Sequence, residues 1–125
     1  MTQIITNESE EEIPIKFRQG TTLVFIATIT DENGAPIDMS SGHSARFAIR
    51  RDKQSTTELL SLAIGTGIVV QGASNNQLKV TITKTQSRAL AAEEMVYGFE
   101  REETLTTIVT PIMGGPCIVL PEIVL

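Results

Sequence analysis

Apolar and polar residues alternate along much of this chain. The period is two, as expected of strands with one buried and one wet face. The pattern is clearest in Ser44–Arg50, where Ala45, Phe47 and Ile49 interleave with Arg46 and Arg50. It recurs in Gln77–Thr83, where Leu78, Val80 and Ile82 interleave with Lys79 and Thr81. Thr21–Thr30 is the longest such stretch: Leu23, Phe25, Ala27 and Ile29 share one face, and Thr22, Val24, Ile26 and Thr28 share the other. Val24 and Ile26 make that second face partly apolar. The strand is therefore expected to be central in a sheet, or to have its outer face covered by a partner.

The remaining segments fit around these. Ile13–Arg18 puts Ile13, Ile15 and Phe17 on one face, and Pro14 suits only an edge strand or a strand start. Asn33-Gly34 predicts a tight turn and Ser40-Ser41-Gly42 a loop. Arg50–Gln54 reads as a solvated connection. Thr57–Ile64 suits a helix or a strand; the flanking Thr56-Thr57 and Gly65-Thr66-Gly67 favour a short strand. Ile68–Gln71 continues as another. Thr85–Ala92 is the helical candidate, capped by Thr85 and crossing one end of the domain. Met95–Glu100 predicts a strand, Arg101-Glu102-Glu103 a turn, and Leu105–Thr110 a further strand with Leu105, Thr107 and Val109 alternating. Pro111–Pro116 is expected to be a loop or bulge, and Cys117–Val124 the closing strand, with Pro121 at a sheet edge or bulge.

Short strands with turn signals every 8–12 residues predict an all-β fold, a two-sheet antiparallel sandwich with one short connecting helix. Phe17, Leu23, Phe25, Ile29, Phe47, Ile49, Leu78, Val80, Ile82, Tyr97 and Phe99 are its expected core.

Length allows one domain of 125 residues with a sizeable core. The division expected is an acidic arm over residues 1–12 and a single β-sandwich domain over 13–125. The net charge is −5, and much of it sits in the arm: Glu8, Glu10, Glu11 and Glu12 have no Lys or Arg beside them. The remaining 11 acids face 10 bases, so the body is near neutral and offers no basic stripe for nucleic acid. Cys117 is the lone cysteine and sits in an apolar run, as a small core residue does. No apolar run approaches the roughly 18 residues of a membrane span, and the N-terminus lacks the features of a signal peptide. The chain is expected to be made in a cytoplasm, without membrane contact.

Catalytic chemistry finds little to stand on. His43 is the single histidine, so no histidine pair can hold a metal. Gly65-Thr66-Gly67 lacks the lysine and length of a phosphate-binding loop, and Asp31-Glu32-Asn33-Gly34 lacks the closing glutamate of a calcium loop. Glu93 and Glu94 are neighbours whose side chains point apart. With no Trp and one Tyr, stacking on sugars is poorly supplied. The chain is expected to be non-enzymatic, with no cofactor.

The order of four stretches carries a resemblance. They are QGTTLVFIATITDENGAPIDMSSG; ARFAIRR; NNQLKVTITKTQSRAL; and YGFEREE leading through MGGP to PEIV. Together, over roughly residues 13–124, the chain resembles the small immunoglobulin-like β-sandwich domains of tailed-bacteriophage virion proteins, including the N-terminal domain of baseplate upper proteins. It departs from that pattern at Gly98-Phe99-Glu100, where an aromatic followed by Asp would stand. The resemblance implies a structural component of a virion in head, neck, tail or baseplate. Its partners would be other virion proteins in a homo- or hetero-oligomer. The alternative is a free-standing immunoglobulin-like binding or adhesion module for a cell-surface ligand. The residues expected to meet a partner are Glu8, Glu10, Glu11 and Glu12 of the arm, Val24 and Ile26 on the second face of their strand, and the terminal Ile123 and Val124.

Overall fold

A computed structural model describes residues 12–123. It contains strands β1 (Ile15–Arg18), β2 (Leu23–Thr28), β3 (His43–Arg50), β4 (Glu58–Ile64), β5 (Gly67–Gln71) and β6 (Gln77–Ile82). The short helix α1 (Lys84–Ala89), β7 (Glu94–Glu103) and β8 (Val109–Leu120) follow. The described residues are all-β apart from α1. Its strands do not separate into the two expected sheets. They bond in one eight-stranded order, β1-β8-β7-β3-β4-β5-β6-β2.

Two features explain that continuity. β4 and β5 are coupled through Ala63↔Gly67 and Ile64↔Ile68, and Gly65 and Gly67 both take positive φ to make the bend. The two ends of the order, β1 and β2, are consecutive in sequence and joined by the short connection 19–22. A sheet whose outermost strands are tied so closely must roll until its edges approach, so it is nearly closed. Most pairings are antiparallel, but β1 runs parallel to β8 and β4 parallel to β5. Thr21–Thr30, expected to be central, shortens to β2 and pairs only with β6 at the end of the order. Val24 on its second face is 46% exposed and Ile26 half-buried, so the described residues do not cover that face.

The core fills the roll. Every expected core residue points inward, with Leu23 half-buried and the others buried. Four aromatics gather at its centre. Phe47 lies 5.9 Å from Phe25, 6.1 Å from Phe99 and 5.5 Å from Tyr97, ring centre to ring centre. Met39, Leu62, Ile68, Leu90, Met95 and Met113 complete the packing. Cys117 is buried among them as a free thiol, and burial pushes its pKa up to about 11.

Helix α1 begins two residues earlier than expected and ends at Ala89. Thr83, not Thr85, is its N-cap: its hydroxyl accepts from Gln86 N–H, and the Gln86 side chain accepts from Thr83 N–H. The helix clasps the edges of the roll. Ser87, fully buried, donates to the Thr21 carbonyl at 2.7 Å and accepts from Gly20 N–H at 3.1 Å. Arg88 pairs with Glu122 beyond β8, and that bond raises the Arg88 pKa.

Further corrections concern the last hairpin. Arg101-Glu102-Glu103 is not a turn but the end of β7, paired with His43–Ala45 of β3. The turn falls later, so Leu105 lies outside any strand. Pro111–Pro116 lies within β8, which is flanked by both β7 and β1 rather than being an edge. The bulge expected there exists: the register slips between Phe99 and Glu100, leaving Ile112 as the extra residue on β8.

Candidate interaction surfaces

On β3 and β7 the alternation sends Phe47, Ile49, Tyr97 and Phe99 inward, so Arg46, Ala48, Arg50, Val96, Gly98 and Glu100 face outward. Register then places small residues side by side. Ala48 stands opposite Gly98, and Gly98 opposite Gly114 of β8. Missing side chains along this row open a groove of about 430 Å³ across β3, β7 and β8.

Charged groups rim the groove. Arg46 lies 3.8 Å from Glu58 and 3.5 Å from Glu100 across neighbouring strands. Lys53, from the loop after β3, reaches the Glu12 carboxylate at 3.3 Å. Arg50 also lines the groove, and its buried Nε has no hydrogen-bond partner among the described residues.

A second surface is the tip of the β7–β8 hairpin. Glu103 N–H bonds to the Ile108 carbonyl and Thr107 N–H to the Glu103 carbonyl, closing a tight turn. Thr107 sits at φ 56, a conformation that a β-branched residue rarely adopts. The turn holds Leu105 at 92% exposure and Ile108 at 59%. Thr104 N–H bonds to the Gly42 carbonyl and ties the tip to the loop before β3.

The residues expected to meet a partner are distributed over several places. Val24, 46% exposed, and half-buried Ile26 lie on β2 at the sheet edge. Ile123 follows β8 and is 74% exposed. Glu12 is exposed in the wall of the groove. Glu8, Glu10, Glu11 and Val124 fall outside the described residues. Sequence reasoning missed the groove and the hairpin tip. A glycine inside the alternating run Met95–Glu100 was the available signal for the first, because it marks a place where something can approach the backbone. Nothing local signalled the second, since Leu105 fits an inward strand position equally well.

Other polar groups have local roles. Asp38 accepts from the Ser40 hydroxyl and amide, bonds that lower its pKa. His43 at the start of β3 is half-buried, and its Nδ1 has no hydrogen-bond partner among the described residues. Among the described residues no three of His, Cys, Asp and Glu cluster as metal ligands, and no helix is long and apolar enough to cross a membrane.

No protein-family model matches the sequence, and no curated protein matches it. Solved structures do match the fold. The N-terminal domain of phage TP901-1 ORF48 superposes with a TM-score of 0.57 at 13% identity, over 95% of this chain and 96% of that one. The NK cell receptor Nkp44, described as a triggering partner in natural cytotoxicity, gives a TM-score of 0.57 at 13% identity, over 88% of this chain and 99% of that one. At such identity these likenesses bear on the fold alone, and they support an immunoglobulin-like arrangement of the strands.

Proposed function

We propose that this chain is a non-enzymatic structural component of a bacteriophage virion that acts by protein–protein assembly. The observation that carries assembly is the hairpin tip. A hydrogen-bonded turn with a strained residue holds Leu105 and Ile108 out in water, and burial against another protein would recover about 25 cal/mol for each Å² of apolar surface removed. Exposed Val24 and Ile123 add apolar surface elsewhere. Two independent observations support the phage setting: the fold likeness to a phage N-terminal domain, and the order of sequence stretches that resembles virion domains. On this reading the protein is made in the host bacterium and resides in the virion. Apolar burial supplies most of the affinity, and the acidic arm supplies steering and register.

The test is incorporation into particles. Deleting residues 1–11, or replacing Leu105 and Ile108 with Asp, is expected to leave the fold intact and lower the amount that co-sediments with particles. Undiminished incorporation of both variants overturns the assembly role of these surfaces. The alternative of a cell-surface binding module draws on the fold likeness to an NK cell receptor. It predicts retention on host cells or a glycan array by the isolated protein.

A further inference from the structure

β2 stands at one end of the sheet order and pairs only with β6 among the described residues. Alternation in an antiparallel ladder decides which of its backbone groups that pairing uses. Ile29 N–H bonds to the Asn76 carbonyl at 2.7 Å, on the β6 side. Thr28 faces Gln77 and Ala27 faces Leu78 in the same register, so Leu23, Phe25 and Ala27 also turn their N–H and C=O groups to β6. Val24, Ile26 and Thr28 turn theirs the other way, off the edge of the sheet.

Charge sets this edge apart from the opposite one. β1, IKFR, carries Lys16 and Arg18 and follows Pro14, and such residues keep strands from pairing edge to edge. β2, LVFIAT, has no charged residue and no proline, and Val24 and Ile26 on its outward face are apolar. Val24, Ile26 and Thr28 are all β-branched, which suits them to packing beside a further strand.

The edge is also complementary to itself. When two copies are set antiparallel about a two-fold axis at Ile26, that residue faces its own counterpart and Val24 faces Thr28 of the other copy. Each facing pair then has its N–H and C=O groups turned toward the other and can exchange both bonds. No like charges meet. Two copies set antiparallel about Phe17 of β1 would instead oppose Lys16 and Arg18.

We propose that β2 pairs with β2 of a second copy of this chain, antiparallel and centred on Ile26. The inference rests on the assembly reading above and names one partner for it. Two strands of 6 residues span about 20 Å side by side and bury less than the roughly 1,200–2,000 Å² of a stable interface. The pairing is therefore weak in free solution and strengthens where assembly concentrates copies.

The test is sedimentation of the full chain from about 10 μM to about 1 mM, with NMR hydrogen exchange at the β2 amides. The average mass is expected to rise toward that of a dimer. Protection is expected to grow with concentration at Val24, Ile26 and Thr28 and to stay constant at Phe25 and Ala27. Two double variants check the register. Val24→Lys/Thr28→Lys sets like charges across the axis, and Val24→Lys/Thr28→Glu sets opposite ones. The first is expected to associate about tenfold more weakly than the second, with the Phe25 and Ala27 amides showing that both keep the fold. Equal association of the two variants overturns the proposal. Protection at Val24, Ile26 and Thr28 in a chain that sediments as a monomer also overturns it, because the chain then covers its own edge. A monomer at every concentration that still co-sediments with particles overturns this pairing and leaves the assembly role standing.

Discussion

The Tyr97 hydroxyl donates to the Ile13 carbonyl across an intervening strand. Gly115 makes this possible. It pairs with Tyr97 in register and has φ 146, and a Cβ there would stand 3.1 Å from the Ile13 backbone. The bare glycine lets the tyrosine ring cross β8 and fix the segment entering β1, while the same ring stacks on Phe47 at 26°. Tyr97→Phe keeps the stack and removes the bond. It is expected to cost about 1–3 kcal/mol in urea denaturation, because the Ile13 carbonyl loses its donor. Hydrogen exchange at the Ile13 amide, bonded to the Gly114 carbonyl, is expected to quicken alongside. Unchanged stability and exchange would show that β8 alone holds the segment.

Phe25 contacts Phe47 and Phe99 in the centre of the core. Phe25→Ala is expected to cost about 3–5 kcal/mol by lost burial and the cavity left behind. A loss under about 1 kcal/mol would mean that the faces of β2 are reversed.

The two threonines at the start of α1 make an internal comparison. Thr83→Ala removes the cap and is expected to cost about 1 kcal/mol. Thr85→Ala alters an exposed helical position and is expected to stay within about 0.5 kcal/mol. Paired thermal melts decide between them, and equal losses would discard the capping assignment.

Alkaline pH tests the buried acids. Burial raises the Cys117 thiol from 9.0 to about 11, and raises the Tyr97 phenol above its ordinary 10.0, with the nearby thiol adding to it. Above pH 9 the folded chain therefore holds more protons than the unfolded one, so stability falls as pH rises. The thiol contribution is complete below pH 9 and lost by about pH 11; the phenol contribution begins to be lost above pH 10. Denaturant midpoints flat from pH 7 to 9 and declining beyond are expected. Cys117→Ser is expected to reduce the decline, and an unchanged slope in that variant would remove the thiol from the account.

At the hairpin tip, Thr107→Gly relieves the positive φ and is expected to gain about 1 kcal/mol, net of the entropy that glycine adds to the unfolded chain. Leu105→Ser is expected to leave the midpoint within about 0.5 kcal/mol, since the side chain touches water. A large loss from Leu105→Ser would place that leucine in packing and withdraw the tip as a docking surface.

The inward faces were legible because alternation is a local property. A residue two positions from Phe47 lies on the same side of the strand whatever its neighbours are, which is why Ala45 and Ile49 read correctly. Arg101–Glu103 did not read correctly for a converse reason. A charged run resembles a turn until β3 is seen to lie beside it and bond its backbone. Pro111 and Pro116 likewise argue against a strand in isolation, but Pro111 stands beside the bulge at Ile112, and Pro116 keeps its place in the register opposite Val96.

By itself, the sequence determined which side of most strands is oily, that β structure dominates, and that an acidic run without bases stands ahead of Ile13. Those follow from period and composition, which need no partner. Only the tertiary structure decided that β2 is an edge, that one sheet rolls on itself in place of two, and that Leu105 faces water. It alone aligned Ala48, Gly98 and Gly114 into a groove beside Arg50. Strand neighbours and register are set by contacts between residues far apart in the chain, and no local pattern carries that information.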